Sequence, residues 1–316
     1  MNALGIDTSN YTTSAAVFNG SEYRMMRKIL DVKQGSRGIR QSEGVFIHNR
    51  ELPEMISDML VGDKPECVGV STRPRSVDGS YMPVFTVGSG YAKAVASALG
   101  VPLHCFSHQD GHIMAGVYSC GCGKILDKPF ISVHISGGTT EILKSEYDGY
   151  NFKNEIIGGT LDISVGQLID RVGVAMGLKF PCGPELEKLA ANAEKTESLP
   201  VSVKGSYMNL SGAETKLLRS ISGADASKAL SVLEYVRDVL VKTINSAVKA
   251  EKLQRVLIAG GVASNAVIRK GLIENISADV YFASKELSGD NAVGIAVLAA
   301  AAEGDIAWTK QSRHSL

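Results

Sequence analysis

The 316-residue sequence has no run of 18 apolar residues, so nothing in it reads as a membrane-spanning helix. It has no surplus of either charge: 33 Lys and Arg stand against 33 Asp and Glu. Phosphate affinity needs an excess of cations on some face. The balance therefore argues against a free-standing nucleic-acid binder and leaves open RNA work alongside a basic partner. Among five cysteines there is no C-x-x-C pair. Cys120 and Cys122 lie close, but C-x-C without a second pair is a poor zinc signal, and reduced cytosolic thiols are the expectation. The N-terminus reads as a strand with no secretory leader, so a cytoplasmic protein is expected.

At 44% hydrophobic and 21% charged, the chain has the composition of a globular protein long enough for two domains. Ala3 to Ser9 reads as a short apolar strand ending in polar residues, and Thr12 to Phe18 as a β-branched return strand after an Asn10-Tyr11 turn. A third strand is expected around Glu22 to Leu30, then a polar loop and a helix near Arg50 to Leu60. A strand at Cys67 to Ser71, a small-residue helix at Val84 to Leu99 and a strand at Pro102 to Phe106 follow. The pattern then restarts: Phe130 to Ser136 is a strand, Gly137-Gly138 the turn, and Thr139 to Leu143 the return. Helices are expected at Asp162 to Met176, Ser227 to Ala250, from Ala263, and from Asp290 to Ala302, with a strand at Arg255 to Ala259. The repeated hairpin suggests two α/β domains, 1–125 and 126–316, with a nucleotide cleft between them, and Cys120 to Pro129 as the linker.

The chemistry concentrates in a few places. His108 and His112 are four apart on a helix, so both imidazoles project from one face and can reach one metal ion. Asp290 either serves as an acidic residue at the start of the last helix or is the missing carboxylate of a two-histidine, one-carboxylate site suited to Fe(II), Zn(II) or Mn(II). Gly137 and Gly138, flanked by Ser136 and Thr139, let backbone amides approach an anion, or form a plain hairpin. Gly260-Gly261 after a strand aims amides and a helix start at one spot, with Asn265 placed to read a base or ribose edge; a tight turn capped by Ser264 is the alternative. Asp170 sits in an amphipathic helix, where pairing with Arg171 competes with a ribose contact, and Gly183 permits close ligand approach or only a turn. His134 reads as a core residue, and His48 has no spacing partner.

Taken in order, these segments resemble the universal tRNA threonylcarbamoyladenosine transferase family, TsaD-like proteins long called O-sialoglycoprotein endopeptidases. The stretches that carry the resemblance are Gly5 to Ser9, His108 to His112, Ile135 to Thr140, Gly166 to Asp170, Gly183-Pro184, Ser211-Gly212, Ala259 to Asn265 and Asp290-Asn291. The resemblance implies an actin-like ATPase (ASKHA) fold with nucleotide and metal in a cleft between duplicated α/β domains. It implies a metal, Fe(II) or Zn(II), on His108, His112 and Asp290. It implies an adenylate (ATP, ADP, AMP or an acyl-adenylate) at Gly137, Gly138, Asp170, Gly183 and Asn265, beside Ser136, Gly260 and Gly261. The implied reaction transfers a threonylcarbamoyl or related carbamoyl group from an acyl-adenylate to an amine, in the family the exocyclic nitrogen of the tRNA adenosine beside the anticodon. Partner proteins for the tRNA, and a related actin-like paralogue as heterodimer partner, come with it.

The sequence also departs from the family pattern. A Cys-Asp-Glu-Thr run reads Asn10-Tyr11-Thr12-Thr13, so the acidic pair is replaced. Ser-Gly-Gly-His-Thr reads Ser136 to Thr140 without the histidine, Asp-Asp-Ala-Ala-Gly-Glu reads Asp162 to Gln167, and Gly-Pro-Gly has become Arg73-Pro74-Arg75-Ser76. A divergent paralogue is expected: a transferase, with the tRNA acceptor or another, or a non-catalytic scaffold that keeps metal and nucleotide. Metalloprotease activity is not expected, since Gln109-Asp110-Gly111 offers no HExxH glutamate.

Overall fold

Small and β-branched residues let two strands pack with both faces covered. In the computed structural model β1 (Ala3–Ser9) and β2 (Thr12–Phe18) pair antiparallel, with Asp7 opposite Ser14 and Ser9 opposite Thr12, and every residue of both is buried. The structure describes residues 1–9, 11–30, 39–62, 64–77 and 79–305; the expected turn residue Asn10 and the first eight residues after Leu30 lie outside that set. β3 (Tyr23–Ile29) pairs antiparallel with β2, while β4 (Cys67–Arg73) and β5 (Leu103–Ser107) continue the sheet in parallel on the other side of β1. The order is β3-β2-β1-β4-β5. Helices α1 (Gln41–Leu60), α2 (Phe85–Leu99) and α3 (His108–Ser119) belong to this unit, and so does the late helix α9 (Val293–Ala302).

α9 is apolar all round, and its first nine residues, Val293 to Ala301, are buried. Two strand glycines make room for it. A Cβ on Gly5 would lie 2.4 Å from the Ala292 carbonyl oxygen, and one on Gly69 would lie 2.7 Å from that of Ile295. The crossing with α3 is tighter still: a Cβ on Gly294 would sit 1.8 Å from the carbonyl oxygen of Gly111.

The second unit repeats the plan. β6 (Phe130–Ile135) and β7 (Thr140–Tyr147) pair antiparallel, β8 (Phe152–Thr160) follows, and β11 (Arg255–Ala259) and β12 (Asp279–Phe282) lie parallel beyond β6. Read from β8 to β12, its order 8-7-6-11-12 repeats the 3-2-1-4-5 of the first sheet, extended past β8 by the short strands β10 (Tyr207–Met208) and β9 (Val203–Lys204). This is the duplicated α/β architecture expected from the two hairpins. The core of this unit is built on β6, β11, α4 (Val165–Ala175) and the 26-residue α7 (Ala226–Glu251), flanked by α5 (Gly183–Ala190), α6 (Ser211–Ser220) and α8 (Ala266–Asn275). By contacts, one unit comprises residues 1–128, 146–153 and 286 onward, and the other residues 129–145 and 154–285.

Several local expectations need correction. The helix expected from Arg50 begins at Gln41, because polar residues and Gly44 in its first turns blur the periodicity. The helix expected from Ala263 begins at Ala266, after a 3-10 turn at Gly261–Ser264. The last helix begins at Val293, so Asp290 precedes it and is no first-turn acid. Cys120 and Cys122 are joined in a disulfide, not reduced: Gly121, at φ +63, folds the chain back between them, while Cys67, Cys105 and Cys182 are free. A 3-10 turn at Gly123–Asp127 occupies the stretch expected to be a linker. No helix among the described residues is long and apolar enough to cross a membrane.

Candidate functional site

α3 opens with a capping box: the Ser107 hydroxyl accepts from the Asp110 amide at 3.1 Å, and the Asp110 carboxylate accepts from the Ser107 amide at 3.1 Å. Ser76 adds a hydroxyl to Asp110 at 2.7 Å. Asp110 is thereby spent on holding the first turn, and His108 and His112 project from it one turn apart. The close crossing at Gly111 and Gly294 brings the chain before α9 to that face. There Asn291 staples a tight loop, donating to the carbonyls of Leu287 (3.1 Å) and Gly289 (2.7 Å) and accepting from the Val293 amide (3.0 Å). The loop presents Asp290 to the histidines.

The structure brings the three expected ligands together inside the first unit. The Nε2 atoms of His108 and His112 are 2.9 Å apart, and Asp290 Oδ1 is 3.1 Å from His112 Nε2 and 3.5 Å from His108 Nε2. One ligand atom from each residue lies within 4.8 Å of the others. Three electron-pair donors this close repel unless a proton or cation sits between them, so the donor set fits a divalent ion. Burial pushes the His108 pKa down, but Asp7 and Asp290 outweigh it, and the imidazole is held well above its usual range. Burial pushes Asp290 up, and hydrogen bonds and charge from His108 and His112 hold it well below the usual carboxylate range.

Asp7 is the residue that spacing could not find. It is fully buried at the polar end of β1, and its Oδ1 receives His108 Nδ1 at 2.9 Å as well as the Ser71 hydroxyl. A carboxylate on Nδ1 fixes the ring so that Nε2 points its lone pair at an ion and becomes a stronger base. A buried aspartate in an apolar strand was the available signal. Its Oδ2 has no hydrogen-bond partner. His48, which has no spacing partner in the sequence, finds its partner on the sheet, in β2. It is fully buried on α1, with Nδ1 2.8 Å from the Thr13 hydroxyl, which in turn reaches Glu51 at 3.1 Å.

The residues expected at the adenylate all lie in the second unit. At the β6–β7 turn the Ser136 amide donates to the Thr139 carbonyl at 2.9 Å, and the Thr139 amide to the Ser136 hydroxyl at 3.1 Å. A Cβ on Gly137 or Gly138 would meet nothing within 4 Å, so a ligand can approach the backbone there. α4 packs directly beneath: a Cβ on Gly166 would lie 2.4 Å from Gly137 Cα. Gly260 has another task. At φ +105, its missing Cβ would lie 2.1 Å from the Ile135 carbonyl oxygen, so it joins β11 to β6, while Gly261 and Gly183 face open space. Asn265, not Ser264, caps α8, accepting from the Ile268 amide at 3.2 Å, and Ser264 donates to the Gly261 carbonyl at 2.6 Å. Asp170 does not pair with Arg171, which binds Glu214 at 2.9 Å. Its Oδ1 accepts from the Cys182 amide at 2.8 Å and so ties α4 to the turn before Gly183.

A profile of the family described as TsaD, tRNA N6-adenosine threonylcarbamoyltransferase, matches residues 62–297. The tRNA N6-adenosine threonylcarbamoyltransferase of Dehalococcoides mccartyi is 31% identical over 312 residues, covering 94% of this chain and 92% of its own. That of Methanopyrus kandleri is also 31% identical, covering 82% and 75%. A probable bifunctional tRNA threonylcarbamoyladenosine biosynthesis protein of Thermoplasma volcanium is 28% identical, and this chain spans 55% of its length. Among solved structures, HypF of T. kodakarensis superposes with a TM-score of 0.60 at 14% identity over 96% of this chain, which spans about half (47%) of that HypF chain. A ROK family glucokinase from Streptomyces griseus gives 0.54 at 13% identity, covering 95% and 99%. At these identities the likeness concerns the fold, the actin-like ATPase architecture that the doubled sheet order expresses.

Proposed function

This chain belongs to the TsaD family of tRNA N6-adenosine threonylcarbamoyltransferases, and we propose that it transfers a threonylcarbamoyl group from an acyl-adenylate to an acceptor amine, the exocyclic nitrogen of a tRNA adenosine. The observation that carries this reading is the meeting of His108, His112 and Asp290, residues up to 182 positions apart in sequence, around one point. An adenylate fits the second unit at the Gly137–Gly138 amides, with Asp170, Gly183, Gly261 and Asn265 beside it. Gly260 contributes indirectly, by setting the turn that places Gly261.

As an acyl transfer the step is simple. The amine nitrogen bonds to the carbonyl carbon, the bond from that carbon to the phosphate oxygen breaks, AMP departs and the amine releases a proton. A divalent cation, Fe(II) or Zn(II), held by His108, His112 and Asp290 would polarise the carbonyl and carry part of the phosphate charge. This chain's own contribution is orientation. Asp7 sets the His108 ring, Asn291 sets the Asp290 loop, and the capping box sets the first turn of α3. Tyr11, in the turn between β1 and β2, and Thr12, the first residue of β2, bring hydroxyls to this end of the hairpin. The balanced net charge leaves tRNA capture to partner proteins, with an actin-like paralogue as a candidate heterodimer, and the reading places the work in the cytoplasm. Elemental analysis tests the metal: about one first-row ion per chain is expected, reduced in His108→Ala, His112→Ala and Asp290→Ala, and full occupancy in all three variants contradicts the assignment.

A further inference from the structure

Asp290 has two carboxylate oxygens, and the structure uses them differently. Oδ1 faces the two imidazoles. Oδ2 receives two hydroxyls, Ser9 Oγ at 3.1 Å and Thr12 Oγ1 at 3.3 Å. Ser9 and Thr12 are a directly paired couple at the end of the β1–β2 ladder, so their side chains share one sheet face, and both are buried. The other acceptor open to Ser9, the Thr12 carbonyl, is farther away at 3.5 Å. Both hydroxyls therefore converge on one oxygen of a carboxylate that lies in a loop, 278 positions from Thr12 in sequence.

We propose that Ser9 and Thr12 form a hydroxyl clamp that fixes Asp290 as a one-oxygen ligand. Deepening the metal reading given above, the proposal assigns these two residues as positioning residues for the cation. A carboxylate on a short loop can turn about its Cβ–Cγ bond and offer either oxygen or both. Two O–H donors on Oδ2 occupy its lone pairs and stop that rotation. Oδ1 is left in register with the imidazoles, and electron density is drawn away from the ligating oxygen. The same clamp disfavours two-oxygen ligation, the mode that large oxygen-seeking ions such as Ca²⁺ exploit. A compact ion with nitrogen affinity suits what remains.

The test uses the full chain, stripped of metal and titrated with Zn²⁺ and with Co²⁺ against a competing chelator. Removing one hydroxyl with Thr12→Val should weaken affinity on the order of tenfold, within the range seen when groups that orient ligands are lost. Ser9→Ala combined with Thr12→Val should weaken it further. Thr12→Ser keeps the hydroxyl and should bind within about twofold of the parent. The visible absorption of the Co²⁺-loaded protein reports ligand geometry directly: it should change in Thr12→Val and be restored in Thr12→Ser, which a general packing role for the threonine would not produce. The proposal is overturned if the double variant binds Zn²⁺ like the parent with an unchanged Co²⁺ spectrum, or if Thr12→Ser is as impaired as Thr12→Val. If the parent and His112→Ala bind equally poorly, the underlying metal reading fails, and the clamp with it.

Discussion

Replacing Gly294 with alanine tests how the two helices hold the site. The new Cβ would sit 1.8 Å from the Gly111 carbonyl oxygen and 2.7 Å from the Ala115 amide nitrogen. Ordinary contact begins at 3.4 Å, so α9 and α3 must part by roughly 1.5 Å. Neither can move freely, since α9 is buried along nearly its whole length and Gly5 and Gly69 fit it closely from the sheet side. Overpacking of this kind costs about 1–3 kcal/mol, and a clash with backbone on both sides puts this case near the top of the range. For a domain of this size, 3 kcal/mol corresponds to a fall of about 6–12 °C in Tm. The separation also draws His108 and His112 from Asp290, so divalent-ion affinity should fall by at least about tenfold. Gly111→Ala is a graded comparison. Its Cβ would meet the end of the Ile295 side chain at 2.8 Å, a flexible obstacle, so the loss should be smaller. Gly261→Ala, with nothing within 4 Å, should change Tm by less than about 1 °C. Calorimetric melting with and without Zn²⁺ checks all three. If Gly294→Ala melts with the parent and binds Zn²⁺ equally well, the close helix crossing does not set the site.

Burial holds the His48 pKa below its ordinary 6.5, against weaker pulls from the Ser9 carbonyl, Asp7 and Glu51. The unfolded chain therefore takes up this proton more readily, so the contribution of His48 to stability is complete above pH 6.5 and shrinks as pH falls below it. His48→Gln should flatten the loss of urea resistance between pH 7.5 and 5.5, and a slope equal to that of the parent would refute this. The amides of Leu210 and Ser211 outweigh partial burial and hold Asp162 at about 2, so its contribution is full above the usual value of 3.8 and lost as pH falls through about 2. As the tie to the start of α6, Asp162→Ala should cost about 1 kcal/mol by denaturant titration at pH 7, and no change would remove the tie. Gly138→Val should weaken AMP binding in calorimetry while sparing Tm, whereas Gly260→Ala should lower Tm through its φ of +105 and the Ile135 carbonyl; the reverse pattern would exchange their roles. The isolated chain should bind tRNA weakly, and a tight, salt-sensitive complex in a filter assay would reveal a basic face hidden by the overall charge balance.

Local pattern made much of the fold legible. β1, β2, β6 and the HxxxH helix were set by composition and spacing that act over a few residues. The last helix was visible as an apolar run, but its true start was not, because Asn291 fixes the preceding loop by bonds that leave no periodic signature. The rigid Pro181 to Pro184 turn announced α5, whereas α6 and β12 are short or half-exposed, and their patterns are weak. The histidine pair was legible because four residues is one helical turn. Asp7, Ser9 and Thr12 were not, because their partners lie 101 to 281 positions away and only packing brings them together. The glycines divide in the same way. Gly137, Gly138 and Gly261 look alike in sequence to Gly260 and Gly294, yet the first three border open space and the last two border backbone.

The most direct measurement of the central claim follows labelled threonylcarbamoyl from its adenylate onto the adenosine of tRNA, with the metal-loaded chain and its partner proteins present. The account predicts label on the tRNA adenosine and release of AMP, both lost in His108→Ala, His112→Ala and Asp290→Ala. Label transferred equally well by all three variants, or AMP never released by the metal-loaded parent with any amine acceptor, would contradict it.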